Sequence, residues 1–193
     1  MEMNRREFLK KTLEGIIVGS IPFISRCSKN PVNSEPELNS NSIVKDGIEY
    51  YMQTDKKDYK LGENVEMLYR IRNLGNKEVI FNFSDQVQYY FAATKDGNLT
   101  YYWYSSKTKD GNLRWYAPKV GLPALSSFGL EPGGYKEYTE TWNMIDERGT
   151  TDTTDDTLIS VGSYYITGSL HPILLSQKDK YVPVSVIIKI IPK

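Results

Sequence analysis

The sequence predicts an all-β protein, folded as an antiparallel β-sandwich, on three observations. Apolar and polar residues alternate with a period of two through several short segments, which is the pattern of half-buried strands. Gly, Asn, Asp and Pro separate these segments at the short spacing typical of sandwiches. The 193 residues include 15 Tyr and 3 Trp, and aromatic side chains favour pleated surfaces. Together these observations indicate eight or nine strands and no helix beyond the N-terminal segment.

The clearest alternation runs from Val65 to Phe83. Apolar residues occupy every second position on both sides of the segment Asn73 to Lys77, whose Gly and Asn suit a tight turn. This pattern predicts a hairpin with one apolar face. A lone hairpin is only marginally stable in water, so the apolar face requires a second layer.

The other predicted strands follow the same criteria. They are Ile48 to Thr54, Gln86 to Thr94, Leu99 to Tyr104, Tyr135 to Trp142, Val161 to Leu170 and Tyr181 to Ile191. The sequence KDGNL occurs twice, at 95–99 and 109–113, and predicts a hairpin turn followed by a longer projecting finger. Residues 117–128 and the acidic residues 146–157 are expected to be loops, and Pro183 favours an edge position for the last strand.

The N-terminal residues 1–27 are predicted to be an export signal. A basic region precedes the apolar segment Gly15 to Ile24, which is too short for a membrane span and contains Pro22. The basic region resembles the bacterial twin-arginine motif, and an ordinary secretory signal is the alternative. The residues that carry this resemblance are Arg5, Arg6, Phe8, Leu9 and Lys10.

The only cysteine, Cys27, lies where the apolar segment ends. The run Ile24 to Cys27 resembles a lipoprotein processing box, although Arg26 stands where that box has a small residue. This resemblance predicts lipidation of Cys27 and membrane anchoring, and the alternative is an incidental Cys in a signal cut elsewhere. Residues 28–46 are rich in Ser, Asn and Pro and predict a flexible linker, which leaves residues 47–193 as the folded domain.

Composition and motifs argue against several function classes. The formal net charge is zero, so nothing indicates a nucleic-acid partner. The single Cys excludes an internal disulfide. The lone His171, before Pro172, is expected in a loop, and Asp152, Asp155 and Asp156 lack the spacing of a Ca²⁺ loop. We therefore predict no catalytic residues, no cofactor and no metal site.

Aromatic residues are unusually dense in the middle of the chain. Alternation cannot bury all of them on one face, and exposed Tyr and Trp anchor protein interfaces or stack on sugar rings. Tyr104, Trp115 and Tyr116 are therefore the candidate binding residues, whereas Trp142 is assigned to the core.

The order of several segments resembles the BsuPI family, the intracellular proteinase inhibitor domain of bacilli. The matching segments lie between residues 47 and 170: Val65 to Asn73, Val79 to Phe83, Tyr89 to Phe91 running into Asp96-Gly97, Tyr102 to Ser105, Leu130 to Gly133, the strand ending at Trp142-Asn143, and Gly162 to Gly168. This resemblance implies an immunoglobulin-like sandwich and inhibition of a proteinase.

The resulting hypothesis is a non-catalytic exported binding module, lipid-tethered in the cell envelope, with a protein partner such as a protease. Residues 107–127 and 146–160 are the candidate loops for insertion into a protease cleft. The alternative is a carbohydrate-binding or adhesion module that uses the exposed Tyr and Trp. A subunit of an envelope complex is the third hypothesis.

Overall fold

The computed structural model describes residues 38–84, 86–95, 113–117, 124–147, 156–171 and 175–193. These residues form thirteen strands and one short 3₁₀ helix. In chain order the elements are β1 (Asn39–Lys45), β2 (Ile48–Thr54), β3 (Asp58–Lys60), β4 (Val65–Asn73), β5 (Val79–Phe83), β6 (Tyr89–Thr94), β7 (Leu113–Ala117), β8 (Ser126–Leu130), β9 (Tyr135–Trp142), β10 (Ile145–Asp146), β11 (Thr157–Leu158), β12 (Gly162–Leu170), the 3₁₀ helix (Leu175–Lys180) and β13 (Val184–Ile191).

Two main sheets face each other, which confirms the predicted all-β sandwich. The first has the order β1-β2-β4-β9 and the second the order β3-β13-β12-β6-β7. Two-stranded pairs β5-β8 and β10-β11 complete the described strands. All of these pairings are antiparallel except that of β3 with β13.

The predicted hairpin from Val65 to Phe83 is wrong, although both of its strands exist. β4 pairs with β2 and β9, whereas β5 pairs with β8. The buried Asn73 ends β4, and its side-chain Nδ2 donates to the carbonyls of Lys77 (2.7 Å) and Leu130 (2.8 Å). These bonds fix a connection that leads away from the first sheet, so the turn residues join two different sheets.

Part of the predicted linker is also folded. Residues 39–45, which were assigned to the linker 28–46, form strand β1 and pair along their whole length with β2. The side-chain amides of Asn39 and Asn41 donate to the carbonyls of Ile187 (3.0 Å) and Ser185 (2.9 Å) on β13. β1 is mostly exposed, and main-chain bonds and these amides, rather than burial of apolar side chains, hold it in place. Its composition therefore gave no strand signal.

Two further expectations need correction, and one holds in part. β13 lies between β12 and β3, but β3 pairs only with residues 189–191, so among the described strands the half of β13 next to Pro183 lies at an edge of the sheet. The predicted loop 117–128 contains the first residues of β8. A 3₁₀ helix lies at 175–180, where no helix was predicted. The predicted strand Leu99 to Tyr104 and the first KDGNL turn lie outside the described residues apart from Lys95, and β6 pairs instead with β7.

The core is aromatic and joins the two sheets. Tyr69, on β4, is fully buried and packs on Gly168 of β12 so closely that a Cβ there would lie 2.7 Å from the Tyr69 ring and 2.9 Å from the Met52 sulfur. Phe91 meets Tyr69 edge-on, with ring centroids 6.4 Å apart. Trp142 is fully buried, as predicted. None of the helical structure in the described residues is long and apolar enough to cross a membrane.

Gly168→Ala is predicted to destabilise the fold. The added methyl group would overlap Tyr69 and Met52 in a packed interior, and overpacking of this kind costs roughly 1–3 kcal/mol. Urea denaturation measures the change in the free energy of unfolding. Ser163→Ala, at an exposed position on the same strand, is the control and should change stability by less than about 0.5 kcal/mol. Equal stability of the Gly168→Ala variant and the wild type would contradict the close inter-sheet contact.

Candidate functional site

The predicted site residues fall into three groups. Trp115 is in the core and Tyr116 is on the outer surface of the second sheet. The others lie outside the described residues, namely Tyr104, the lipidation residue Cys27 and the export residues Arg5, Arg6, Phe8, Leu9 and Lys10.

Trp115 is not an exposed binding residue, so this part of the prediction is wrong. It is only 6% exposed, and its ring stacks on that of Trp142 with centroids 6.3 Å apart. The register of β7 on β6 places Trp115 opposite Ala93, on the inner face of the sheet. No strand was predicted at 113–117, so the sequence analysis had no basis for placing Trp115 on an inner face.

Tyr116 lies on the opposite face of β7 and is half-buried. Its ring stacks on Tyr90 with centroids 5.9 Å apart and an interplanar angle of 23°. Burial and the neighbouring Tyr116 raise the pKa of Tyr90. Ala92, Thr167 and Ser169 on the same outward face are buried, so this pair is only partly accessible.

Two long connections begin and end side by side at one end of the sandwich. The connection 96–112 joins β6 to β7, and the connection 147–156 joins β10 to β11. Arg114 of β7 pairs with Asp146 of β10, with Nη1 and Oδ2 3.0 Å apart, and the Glu147 amide donates to the Arg114 carbonyl at 2.9 Å. Lys95, at the end of β6, donates to the Ser160 hydroxyl at 3.2 Å. We call Lys95, Arg114, Asp146, Glu147 and Ser160 the long-loop end.

The Arg114–Asp146 pair is well placed to fix the two connections relative to each other. Its side chains are 24% and 12% exposed, so water screens the pair less than it screens an ordinary surface ion pair. The accompanying main-chain bond from Glu147 aligns β10 with the first residues of β7. These bonds therefore join the stems of both connections.

A half-buried polar cluster lies on the inner face of edge strand β9, and the alternation of β9 gave no indication of it. The Tyr89 hydroxyl donates to Glu140 at 2.7 Å, and Lys136 donates to Gln88 Oε1 at 2.7 Å. Tyr138 stacks on Tyr89 with centroids 4.4 Å apart. Burial lowers the pKa of Lys136, while burial and the hydrogen bond to Glu140 raise the pKa of Tyr89 to about 12.

An open cavity of about 290 Å³ lies at the opposite end from the long-loop end, beside the turn that joins β1 to β2. Tyr50 forms part of its wall, together with Lys45, Lys180, Asp46 and Asp179. Burial, followed by these two carboxylates, raises the pKa of Tyr50. Both lysines are used structurally, because Lys45 donates to the Asp179 carbonyl at 2.6 Å and Lys180 to the Ile80 carbonyl at 2.8 Å.

His171 follows β12, and its amide donates to the Gln88 carbonyl at 3.1 Å. Of the three aspartates considered for Ca²⁺, Asp156 is described, whereas Asp152 and Asp155 lie outside the described residues. Within the described part of the chain, no group of three or more His, Cys, Asp or Glu residues is arranged to hold a metal ion.

Comparisons with known proteins show likeness at a low level. No protein-family model matches the sequence, and a search of curated proteins gives no match. Among solved structures, the CARDB domain of PF1109 from Pyrococcus furiosus has a TM-score of 0.36 and 12% identity, over 82% of this chain and 90% of that chain. A β-glucosidase from Listeria innocua has a TM-score of 0.35 and 11% identity, over 80% of this chain and 16% of that chain.

The alkylpurine DNA glycosylase AlkC from Pseudomonas fluorescens has a TM-score of 0.37 and 10% identity, over 80% of this chain and 30% of that chain. The chain thus spans a small fraction of both enzymes. At these TM-scores and identities, no activity, ligand or partner of these proteins is assigned to this chain. The fold assignment rests on the strand order of the chain itself.

The Tyr89 phenol is predicted to titrate near pH 12 in the folded protein, above its ordinary value of 10.0. Because the pKa is raised on folding, the neutral phenol contributes stability below about pH 10, and this contribution is lost as the pH rises towards 12. Glu140→Gln removes the charged acceptor and should lower the Tyr89 pKa, as followed by NMR of the Tyr89 ring. Glu137→Gln, on the outer face of the same strand, should leave it unchanged. A Tyr89 titration that is identical in the Glu140→Gln variant would show that the hydrogen bond has no such effect.

Proposed function

We propose that this protein is a non-catalytic binding module, exported and held at the outer face of the cytoplasmic membrane by a lipid on Cys27. Its partner is a protein, and the specific hypothesis is a protease that is inhibited by loop insertion. The observation that carries the proposal is the long-loop end, where the stems of two long connections are joined by the Arg114–Asp146 pair. Binding loops of β-sandwiches commonly cluster at one end in this way.

Joined loop stems favour this mode of binding for a physical reason. A loop that is held at its stems loses less conformational freedom on entering a cleft, so more of the contact energy remains as affinity. The pairing of Arg114 with Asp146 and of Lys95 with Ser160 restrains both stems on the sandwich. The scaffold then contributes positioning, and the loops contribute the contacts.

The described strands narrow the candidate segments. The first candidate, residues 107–127, includes β7 and the first residues of β8. Trp115 and Ala117 of β7 belong to the core and cannot enter a partner's cleft without unfolding the sheet. Within the two candidates, we therefore propose residues 107–112, which belong to the connection 96–112, and residues 147–156 for contact with the partner.

Inhibition of serine proteases by the mature protein tests this proposal. We expect inhibition of at least one member of a protease panel, and we expect Arg114→Ala to raise the inhibition constant by about tenfold, the equivalent of roughly 1.4 kcal/mol. Lys56→Ala removes the separate Lys56–Glu63 pair (2.8 Å), which is more exposed, and serves as the matched control. Full protease activity throughout the panel would contradict the inhibitor hypothesis.

The stacked Tyr90–Tyr116 pair favours the second candidate function, a carbohydrate-binding or adhesion module. The half-buried Tyr116 ring is the member of this pair that we propose stacks on a sugar ring. Glycan-array binding that is lost in Tyr116→Ala and retained in Arg114→Ala would support this function in place of the first.

Lipidation of Cys27 is predicted to place the protein in the membrane fraction. The acyl chain should hold the protein there, because each buried CH₂ adds about 0.8 kcal/mol of membrane affinity. The intact mass of the membrane-extracted chain should correspond to a chain that begins at an acylated Cys27. Cys27→Ser should release the protein into the soluble fraction, whereas Ser28→Ala should not. A mature chain that begins at another residue, or one without acyl mass, would contradict the anchor.

A further inference from the structure

Strand β5 has one edge that no strand of the described residues pairs with. Its other edge pairs with β8. In an antiparallel ladder, the N–H and C=O of alternate residues point to the same side of the strand. The Asn82 amide and the Ile80 carbonyl both bond to the 3₁₀ helix, so these two residues point away from β8.

Side chains of the 3₁₀ helix occupy this edge in place of a strand. Gln177 Oε1 accepts from the Asn82 amide at 3.0 Å, and Gln177 Nε2 donates to the Ile80 carbonyl at 3.2 Å. Lys180 Nζ donates to the same carbonyl at 2.8 Å and lies 5.1 Å from the centre of the Phe81 ring. One side-chain amide thus supplies the acceptor and the donor that a neighbouring strand would present.

The sequence of β5 favours pairing with other chains wherever its edge is open. Its five residues, VIFNF, carry no charge and no proline and consist mostly of residues that favour strands. Ile80 is 49% exposed beside the edge. Uncharged segments of this kind pair readily with other chains unless their edges are blocked.

Two copies of β5 are complementary to each other. An antiparallel pair centred on Phe81 brings Ile80 of one copy opposite Asn82 of the other, so that both residues exchange main-chain hydrogen bonds across a two-fold axis. The same Asn82 amide and Ile80 carbonyl now bond to Gln177. Gln177 and a second copy would therefore compete for the Asn82 amide and the Ile80 carbonyl.

We propose that β5 is a latent strand-pairing surface for a second copy of this chain, and that Gln177 and Lys180 hold this surface closed. The wild type is then mostly monomeric because association must first displace these two side chains. This inference is independent of the proposed binding function, since the long-loop end and β5 share no residues.

The test is the oligomeric state of the Gln177→Ala/Lys180→Ala variant, measured by sedimentation velocity over a range of concentrations. We expect its dimer dissociation constant to fall by roughly three- to tenfold for each hydrogen bond from Gln177 or Lys180 to β5 that is removed. Adding Asn82→Pro should restore the monomer, because proline lacks the outward N–H and is tolerated at a strand edge. Gln53→Ala/Lys57→Ala is the matched control, with Gln53 on β2 and Lys57 just before β3, and it should behave as the wild type.

Amide hydrogen exchange distinguishes loss of the Gln177 and Lys180 contacts with β5 from loss of the fold. In the double variant at low concentration the Asn82 amide should exchange faster than in the wild type, while the Phe81 and Phe83 amides should stay protected by β8. At high concentration the Asn82 protection should return. A double variant that matches the wild type in both measurements would overturn the proposal, and so would association that Asn82→Pro does not reverse.

Discussion

The close packing of Tyr69 on the backbone of Gly168 sets the separation of the two main sheets. Tyr69 lies on β4, which is flanked by β2 and β9, and Gly168 lies on β12, which is flanked by β13 and β6. The phenol ring fits only because position 168 has no Cβ. Met52 and Phe91 then pack around this contact, and Trp142 extends the aromatic interior by stacking on Trp115. Because packed interiors deform little, this contact also fixes where the strand ends emerge.

Strand edges are the second constraint, and side-chain amides satisfy several of them. Asn39 and Asn41 bond to carbonyls along the half of β13 that β3 does not reach, and Gln177 does the same for β5. An amide side chain offers both a donor and an acceptor, so it can replace a strand without adding an edge of its own. The sandwich therefore ends its sheets with polar side chains where a longer ladder would invite association.

The sequence predicted strands well where burial alternates along one element. β2, β4, β5 and β9 match predicted segments because each has one face in the core. The pairing partners of the strands were not predictable in this way, since Asn73 fixes the connection after β4 partly through a bond to the carbonyl of Leu130, which is distant in sequence. β1 was missed because its stability comes from main-chain pairing rather than from apolar residues. Likewise, β7 was not among the predicted strands, so Trp115 and Tyr116 could not be assigned to opposite faces of a sheet.

The strand registers also relate the proposed tether to the proposed binding surface. Asn39 pairs with Thr54, and Thr54 pairs with Met67. Val65, two residues before Met67 on β4, pairs with Trp142, which shortly precedes β10. The chain therefore enters the sandwich at the end that also carries the long-loop end. Only residues 28–37 separate Cys27 from the first described residue. A lipid on Cys27, as proposed above, would therefore be connected through these residues to the end of the sandwich at which Arg114 and Asp146 pair.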